Sequence, residues 1–225
     1  MEEKSESRLQ RGLESFGNIF LVNILFILFS IPVVTVGASL TAMYTVMLRI
    51  VRKEDGAIAK GFVKAFRENF KKATVIWLMV IVACVVIYGE LVYVTNFTGA
   101  IAQFYSILAM AEVVLLAVTL PFLFPLVARY DNTVWNTIKN AFLLAVSNLG
   151  AWLKTALAWF APIALSMYYP VLFFSTWYLW IIIGFGLIGF GTSHTINRVF
   201  KRTMEQQEKE KEKEKEKEKE KEKKA

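Results

Sequence analysis

Residues 15–48 read SFGNIFLVNILFILFSIPVVTVGASLTAMYTVML, without one charged side chain. A helix needs roughly 20 apolar residues to cross a bilayer's hydrocarbon core, where backbone N–H and C=O groups must be paired within the segment. A stretch this long and apolar is not a soluble core helix. It predicts an all-α polytopic transmembrane helix bundle. The stretch also carries its own break, at Ser30-Ile31-Pro32-Val33-Val34-Thr35-Val36-Gly37. Proline removes a backbone donor and clashes with the preceding turn, and Gly37 permits turn geometry, so this is the tip of a hairpin. Each arm has about 17 residues, the lower limit for a span, which leaves two readings open: two crossings or a re-entrant hairpin.

Working outward, residues 49–72 hold eight basic and three acidic side chains. By the bias of Lys and Arg toward cytoplasmic loops this segment is inside. Arg8 and Arg11 place the amino terminus inside as well. Residues 73–93 form the next crossing, and the loop at 94–99 lacks Lys and Arg, as an outer loop should. Residues 102–128 return inward to Arg129, Lys139 and Lys154. Residues 155–197 then carry no charge-bearing group except His194, room for two passes with Tyr168-Tyr169-Pro170 as the outer turn and Arg198, Lys201 and Arg202 as the inner stop. The expected topology is about six crossings of a membrane with both termini cytoplasmic.

Composition supports a division into a transmembrane domain, residues 1–204, and a tail, 205–225, with nine Glu and nine Lys. The formal net charge of +7 therefore resides in the body, where it marks inner loops rather than a nucleic-acid surface. In strict Glu/Lys alternation every i,i+4 neighbour bears the same charge and no apolar face exists, so the tail reads as a disordered polyampholyte exchanging between coil and helix. The single Cys84 sits in an apolar run, as a small hydrophobe, and permits no intrachain disulfide. Residues 1–14 mix acids with Lys4, Arg8 and Arg11 without a small-residue cleavage site, which argues against a signal peptide.

Two cytoplasmic amphipathic helices are expected. In the first, Phe62, Phe66 and Phe70 recur every four residues while Lys60, Lys64, Arg67 and Lys71 fall away from that stripe. Its apolar face either lies in the inner interface, with the cations near anionic headgroups, or packs on neighbouring helices as the start of the third span. The second shares its spacing: Asp55 precedes Ala65-Phe66 as Asp131 precedes Ala141-Phe142, which suggests an internal duplication.

Glu90 and Glu112 are candidate intramembrane polar residues, since an ionisable group at membrane depth is costly enough to suggest a role. Glu112 is placed near mid-membrane and Glu90 within reach of the outer interface. Gly184-Phe185-Gly186-Leu187-Ile188-Gly189 matches the dinucleotide fingerprint in letters only, because no strand, open turn or following acid accompanies it. These glycines instead suit close helix approach, with Gly184 and Gly191 on one face. His194 alone cannot build a zinc site. The residues 96–98 sequon receives no role, and most Trp and Tyr residues fall near span ends, as an interfacial belt. No catalytic spacing is recognisable, so neither an enzyme, a cofactor nor a metal centre is expected.

From Asn23 through the turn at 30–38, and again over Phe62-x-x-x-Phe66-x-x-Asn69-Phe70, the chain resembles the YesL-like family of small bacterial membrane proteins, across residues 12–202. That resemblance implies no defined reaction. It implies genes neighbouring carbohydrate ABC transporters, sensor kinases and glycan-degrading enzymes, and hence an accessory or modulatory component of carbohydrate uptake or sensing. The implied partners are the lipid bilayer, an ABC transporter or sensor kinase complex, and a second copy of the chain, with no nucleic acid. The alternative is a small transporter or channel with Glu112 lining a polar pathway. Scarcity of midplane polar groups favours the accessory reading.

Overall fold

The computed structural model describes the backbone of residues 2–54 and 56–224, and the side chains of residues 13–54, 56–171, 174–216 and 219. Helix α1 spans Glu2–Ser30, a 3₁₀ turn Val33–Thr35, α2 Val36–Val51, α3 Ile58–Asn96 and α4 Ala100–Arg129. Then come α5 Val134–Ser147, α6 Leu149–Tyr168, α7 Pro170–Leu179, a π turn Trp180–Gly184 and α8 Phe185–Lys224. No strand occurs among the described residues. Six stretches are long and apolar enough to cross a membrane: Leu13–Ser30, Val33–Val51, Ile58–Asn96, Ala100–Arg129, Leu149–Tyr168 and Phe174–Glu216.

The hairpin tip forms where the proline predicts it, and its polar groups are closed locally. Thr35 Oγ1 donates to Phe29 O at 2.6 Å and Pro32 O at 2.7 Å, while Ser39 Oγ donates to Phe26 O at 2.8 Å. The Phe29 carbonyl is among those that the end of α1 leaves without a helical partner. Trp77 Nε1 then donates to Val33 O at 2.8 Å, pinning the tip to α3.

Helix α2 is the centre of the bundle, packed by α1, α3, α4 and α8. Ala38, Ala42, Met43, Met47 and Thr41 are fully buried, so α2 is apolar all round rather than on one stripe. Close approach depends on Gly37. A Cβ there would stand 2.5 Å from Trp77 Cβ and 2.6 Å from Ala73 O, so α2 lies directly on the α3 backbone. The tip thus docks at Ala73 and Trp77, and residues 78–96 of α3 continue past it, about 28 Å of helix. Helix α2 itself has 16 residues, about 24 Å, short of a hydrocarbon core of roughly 30 Å. With the preceding 3₁₀ turn it makes the 19-residue stretch Val33–Val51 that is long and apolar enough to cross.

The Phe62 stripe packs rather than floats. Phe62 is fully buried, and the Phe29 ring lies 5.5 Å from Phe62 and 4.8 Å from Phe66. Neighbouring helices take Phe62 and Phe66, because the hairpin folds back across the start of α3, while Phe70 stays exposed. Lys60, Lys64, Arg67 and Lys71 remain exposed. The second amphipathic segment is α5, which begins at Val134 as α3 begins at Ile58, keeping the spacing of 131 from 55. Thr133 caps it, accepting the Asn136 N–H at 3.3 Å, and Thr137, Ala141 and Ala145 form its buried stripe. Asp55, the first marker of the suspected duplication, lies outside the described residues. The two segments differ downstream: α3 runs on unbroken, whereas non-helical Asn148 separates α5 from α6.

At the charged end Lys72 Nζ donates to Tyr130 O, Asp131 Oδ1 and Asn132 O at 3.4, 3.2 and 3.1 Å, a cation on the carbonyl end of α4. The 205–224 tail continues α8 as helix, where the sequence reading expects a disordered polyampholyte. A helix already nucleated within the bundle needs only propagation, which avoids the costly first turn.

Gly37→Ala is expected to lower stability by about 1–3 kcal/mol, the cost of overpacking a filled contact, because neither the α3 backbone nor Trp77 Cβ can yield without moving a helix. Gly89→Ala, with nothing within 4 Å of its added Cβ, should be neutral or stabilise by up to about 1 kcal/mol. Unfolding of both variants in detergent measures the difference; equal effects would remove the close approach as a stability determinant.

Candidate functional site

Apolar sequence around the bundle centre leaves few polar side chains: Thr41, Thr119, Thr137 and Thr155 bond carbonyls of their own helices, and a smaller set joins helices. Asn23, fully buried on α1, reaches the π turn: its Nδ2 donates to Ile181 O at 2.6 Å and Trp180 O at 3.2 Å, and its Oδ1 accepts the Gly186 N–H at 2.8 Å. A π turn inserts a residue into the helix and disturbs the backbone ladder, and one carboxamide here serves both its carbonyls and an amide. Gly186 is required by the approach itself, since a Cβ would stand 2.7 Å from Ile19 O. Gly189 likewise faces Met43 at 3.0 Å. Gly184 and Gly191, expected to share the contact face, do not form it: Gly184 meets Trp180 of its own turn and Gly191 has no neighbour within 4 Å. The π turn rotates residues before 185 relative to those after, which is invisible to regular periodicity.

A second junction joins α2, α6 and α8. Trp159 Nε1 donates to Tyr44 OH at 2.7 Å, and Tyr44 OH lies 3.2 Å from Thr192 Oγ1. Tyr44 is buried at 2 % exposure, so its hydroxyl depends on these partners. Trp152 Nε1 adds a bond to Ala117 O at 3.2 Å, tying α6 to α4.

Against this background Glu90 stands apart. It lies six residues before the end of α3 and is buried at 9 % exposure. Its Oε2 has no hydrogen-bond partner, and its charged neighbour is Glu112 of α4, which is half-buried. The fold therefore places the two sequence-predicted acids on the paired helices α3 and α4, with Glu90 the more enclosed.

The remaining predicted site residues lie at the opposite, charged end. Phe62 and Phe66 are consumed by packing, Phe70 is partly exposed beside Phe66 at 5.4 Å, and Lys64 lies 3.8 Å from Glu68. Exposed ion pairs of this kind contribute little. Lys60, Arg67 and Lys71 extend the same outward cationic face, well separated in the chain from the Glu90–Glu112 pair. In the turn after α2, Arg52 donates to both carboxyl oxygens of Glu54, and that hydrogen bonding holds the Glu54 carboxyl below the usual carboxylate range.

Residues 19–91 are similar to a family described as "Protein of unknown function, DUF624". No curated protein and no solved structure matches the chain. The matched segment runs from the contact face of α1 through the hairpin, α2 and α3 to just past Glu90. It therefore includes Asn23, Gly37, Trp77 and the Phe62 stripe, and stops short of Glu112 and the π turn.

Sequence reasoning gave no role to Asn23, Tyr44 or Lys72 and placed Trp159 in the interfacial belt. A carboxamide within an uncharged run, which Asn18 shares, was the available signal for Asn23, but its partners are 157 residues or more away. Asn23→Leu is expected to cost about 1–2 kcal/mol, the scale of hydrogen bonds lost between membrane helices. It should also relax the π turn, changing thiol reactivity of cysteines scanned through residues 174–178. A variant with unchanged stability and an unchanged reactivity pattern would show the clamp to be dispensable.

Proposed function

We propose that this chain is a membrane-embedded accessory or modulatory component that works by binding other membrane proteins rather than by catalysis. The observation that supports this reading is a set of polar contacts that join helices around α2: Asn23 binds the π turn, Ser39 the end of α1, and the Tyr44 hydroxyl meets Trp159 and Thr192. A conduit would instead keep several polar groups and broken backbone free around a central site. Outside this locked centre, the Lys60, Lys64, Arg67 and Lys71 face projects from a helix whose apolar side is already packed, a rigid cationic surface suited to acidic partner segments and anionic lipid.

The YesL-like resemblance directs the proposal to carbohydrate uptake or sensing in a bacterial cell membrane, with an ABC transporter or sensor kinase as partner and both termini cytoplasmic. Affinity purification of the full chain from native membranes should enrich such a complex. Replacing Lys60, Lys64, Arg67 and Lys71 with glutamine should reduce that enrichment severalfold; undiminished recovery, or recovery of no transporter or kinase, would count against the proposal. In intact cells a cysteine at Thr98 should react with an impermeant thiol reagent and one at Gln206 should not, both in a Cys84→Ser background. Reaction at 206 without lysis would reverse the orientation.

The enclosed Glu90 carboxyl and its neighbour Glu112 favour a second reading, a small transporter or channel in which this pair binds a proton or cation. Reconstituted vesicles separate the two. Cation or proton flux abolished by Glu112→Gln or Glu90→Gln, with the fold preserved, would establish the conduit. Absence of flux in the unaltered protein leaves the acids as contacts between α3 and α4.

A further inference from the structure

At the charged end of the bundle, the end of α4, the outer face of α5 and the continuation of α8 enclose a cavity of about 640 Å³, within the range of small-molecule sites. Its polar lining has an unusual balance. Arg202 is the one charged side chain, accompanied by Asn140, Ser147, Gln206 and Gln207, and no carboxylate lines the space. Among the described residues Arg202 makes no ion pair, and the side chains of Asn140, Ser147 and Gln206 make no hydrogen bond. The opposite wall is apolar, built from Leu126, Leu144 and Phe200, with the Tyr130 ring edge-on to Phe200 at 5.4 Å. Leu143 and Val146 carry that apolar surface along α5 to the outside of the bundle, where both are about half exposed.

One guanidinium matches one negative charge. The planar donor fork of Arg suits a phosphate, and a diester carries a single charge where a terminal phosphate carries nearly two. The neutral amides and hydroxyl around it offer both donors and acceptors, the complement of ligand hydroxyl groups. The apolar wall leading out along α5 provides a path for acyl chains. Basic pockets between membrane helices are a recurring form of headgroup site.

We propose that this cavity binds a hydroxylated phosphodiester, with the phosphate on Arg202 and the hydroxyls on Asn140, Ser147 and Gln206. Such a group is the headgroup of a phospholipid like phosphatidylglycerol, and the same chemistry exists free in solution as glycerophosphoglycerol.

The test uses the purified full chain. Native mass spectrometry measures retention of phosphatidylglycerol against phosphatidylcholine, and calorimetry measures binding of glycerophosphoglycerol. Loss of the charge-assisted contact in Arg202→Gln should reduce binding about tenfold, and Gln206→Ala should reduce it less. Arg198→Gln, an exposed cation one turn earlier that does not line the cavity, should leave binding unchanged. Selective retention of phosphatidylglycerol alone identifies the lipid as ligand. Binding of glycerophosphoglycerol with the same Arg202 dependence identifies a soluble source. Equal retention of both lipids with no binding of the soluble diester overturns the proposal, as does an Arg198→Gln effect equal to that of Arg202→Gln. Arg202, Gln206 and Arg198 are all exposed, so these variants retain the bundle, and an unchanged unfolding midpoint verifies it.

Discussion

The contact of Gly37 with the backbone of α3 is the constraint from which the bundle's arrangement follows. With no side chain between them, α2 and α3 approach until a Cβ would overlap Ala73 O, and Trp77 closes over the turn onto Val33 O. Lipid supplies no hydrophobic drive between helices, so intimate packing of small residues and interhelical hydrogen bonds must hold them together. Seating α2 this way makes it the common partner of α1, α3, α4 and α8. It also brings Phe29 onto Phe62 and Phe66, which turns an amphipathic segment into the packed first part of a long helix.

Polar groups then act as fasteners at defined distances from that contact. Asn23 fixes α1 to the π turn, while Tyr44, Trp159 and Thr192 fix α2 to α6 and α8. Each of these side chains would be expensive to bury alone, and each is paired by a residue far away in sequence. A π turn held by one carboxamide is a local departure from helix that the bundle tolerates because its backbone groups find a partner. Not every buried polar group is fastened: the hydroxyls of Ser30, Thr74 and Ser193 and the Oε2 of Glu90 have no hydrogen-bond partner, and Glu90, the acid among them, carries the alternative reading of function.

Charge is concentrated at the other end. Lys72 caps the carbonyl end of α4, Arg52 orders Glu54, and the Lys60 to Lys71 cations stay in solvent. Arg202 differs from these in facing neutral donors and acceptors over an apolar wall. A single cation in such a setting selects ligands by hydrogen-bond pattern as well as by charge, whereas the open face of α3 offers charge alone.

The sequence by itself determined the class and most of the boundaries. Uncharged length forces membrane-spanning helices, Pro32 places the hairpin tip, and Tyr169-Pro170 ends α6 where expected, because these signals depend on neighbouring residues alone; Gly37, expected in the turn, lies instead within α2, where its missing side chain admits α3. It also singled out Glu90 and Glu112, since an acid in an apolar run is conspicuous without knowing its partner. Only the tertiary structure decided that Glu90 is the more enclosed acid, that the hairpin tip docks partway along α3, and that Gly186 and Gly189, not Gly184 and Gly191, form the close contact. Those outcomes depend on which helix lies opposite and on the phase shift of a π turn. Helical periodicity records neither, because it reports the face a residue occupies and not the surface that face meets.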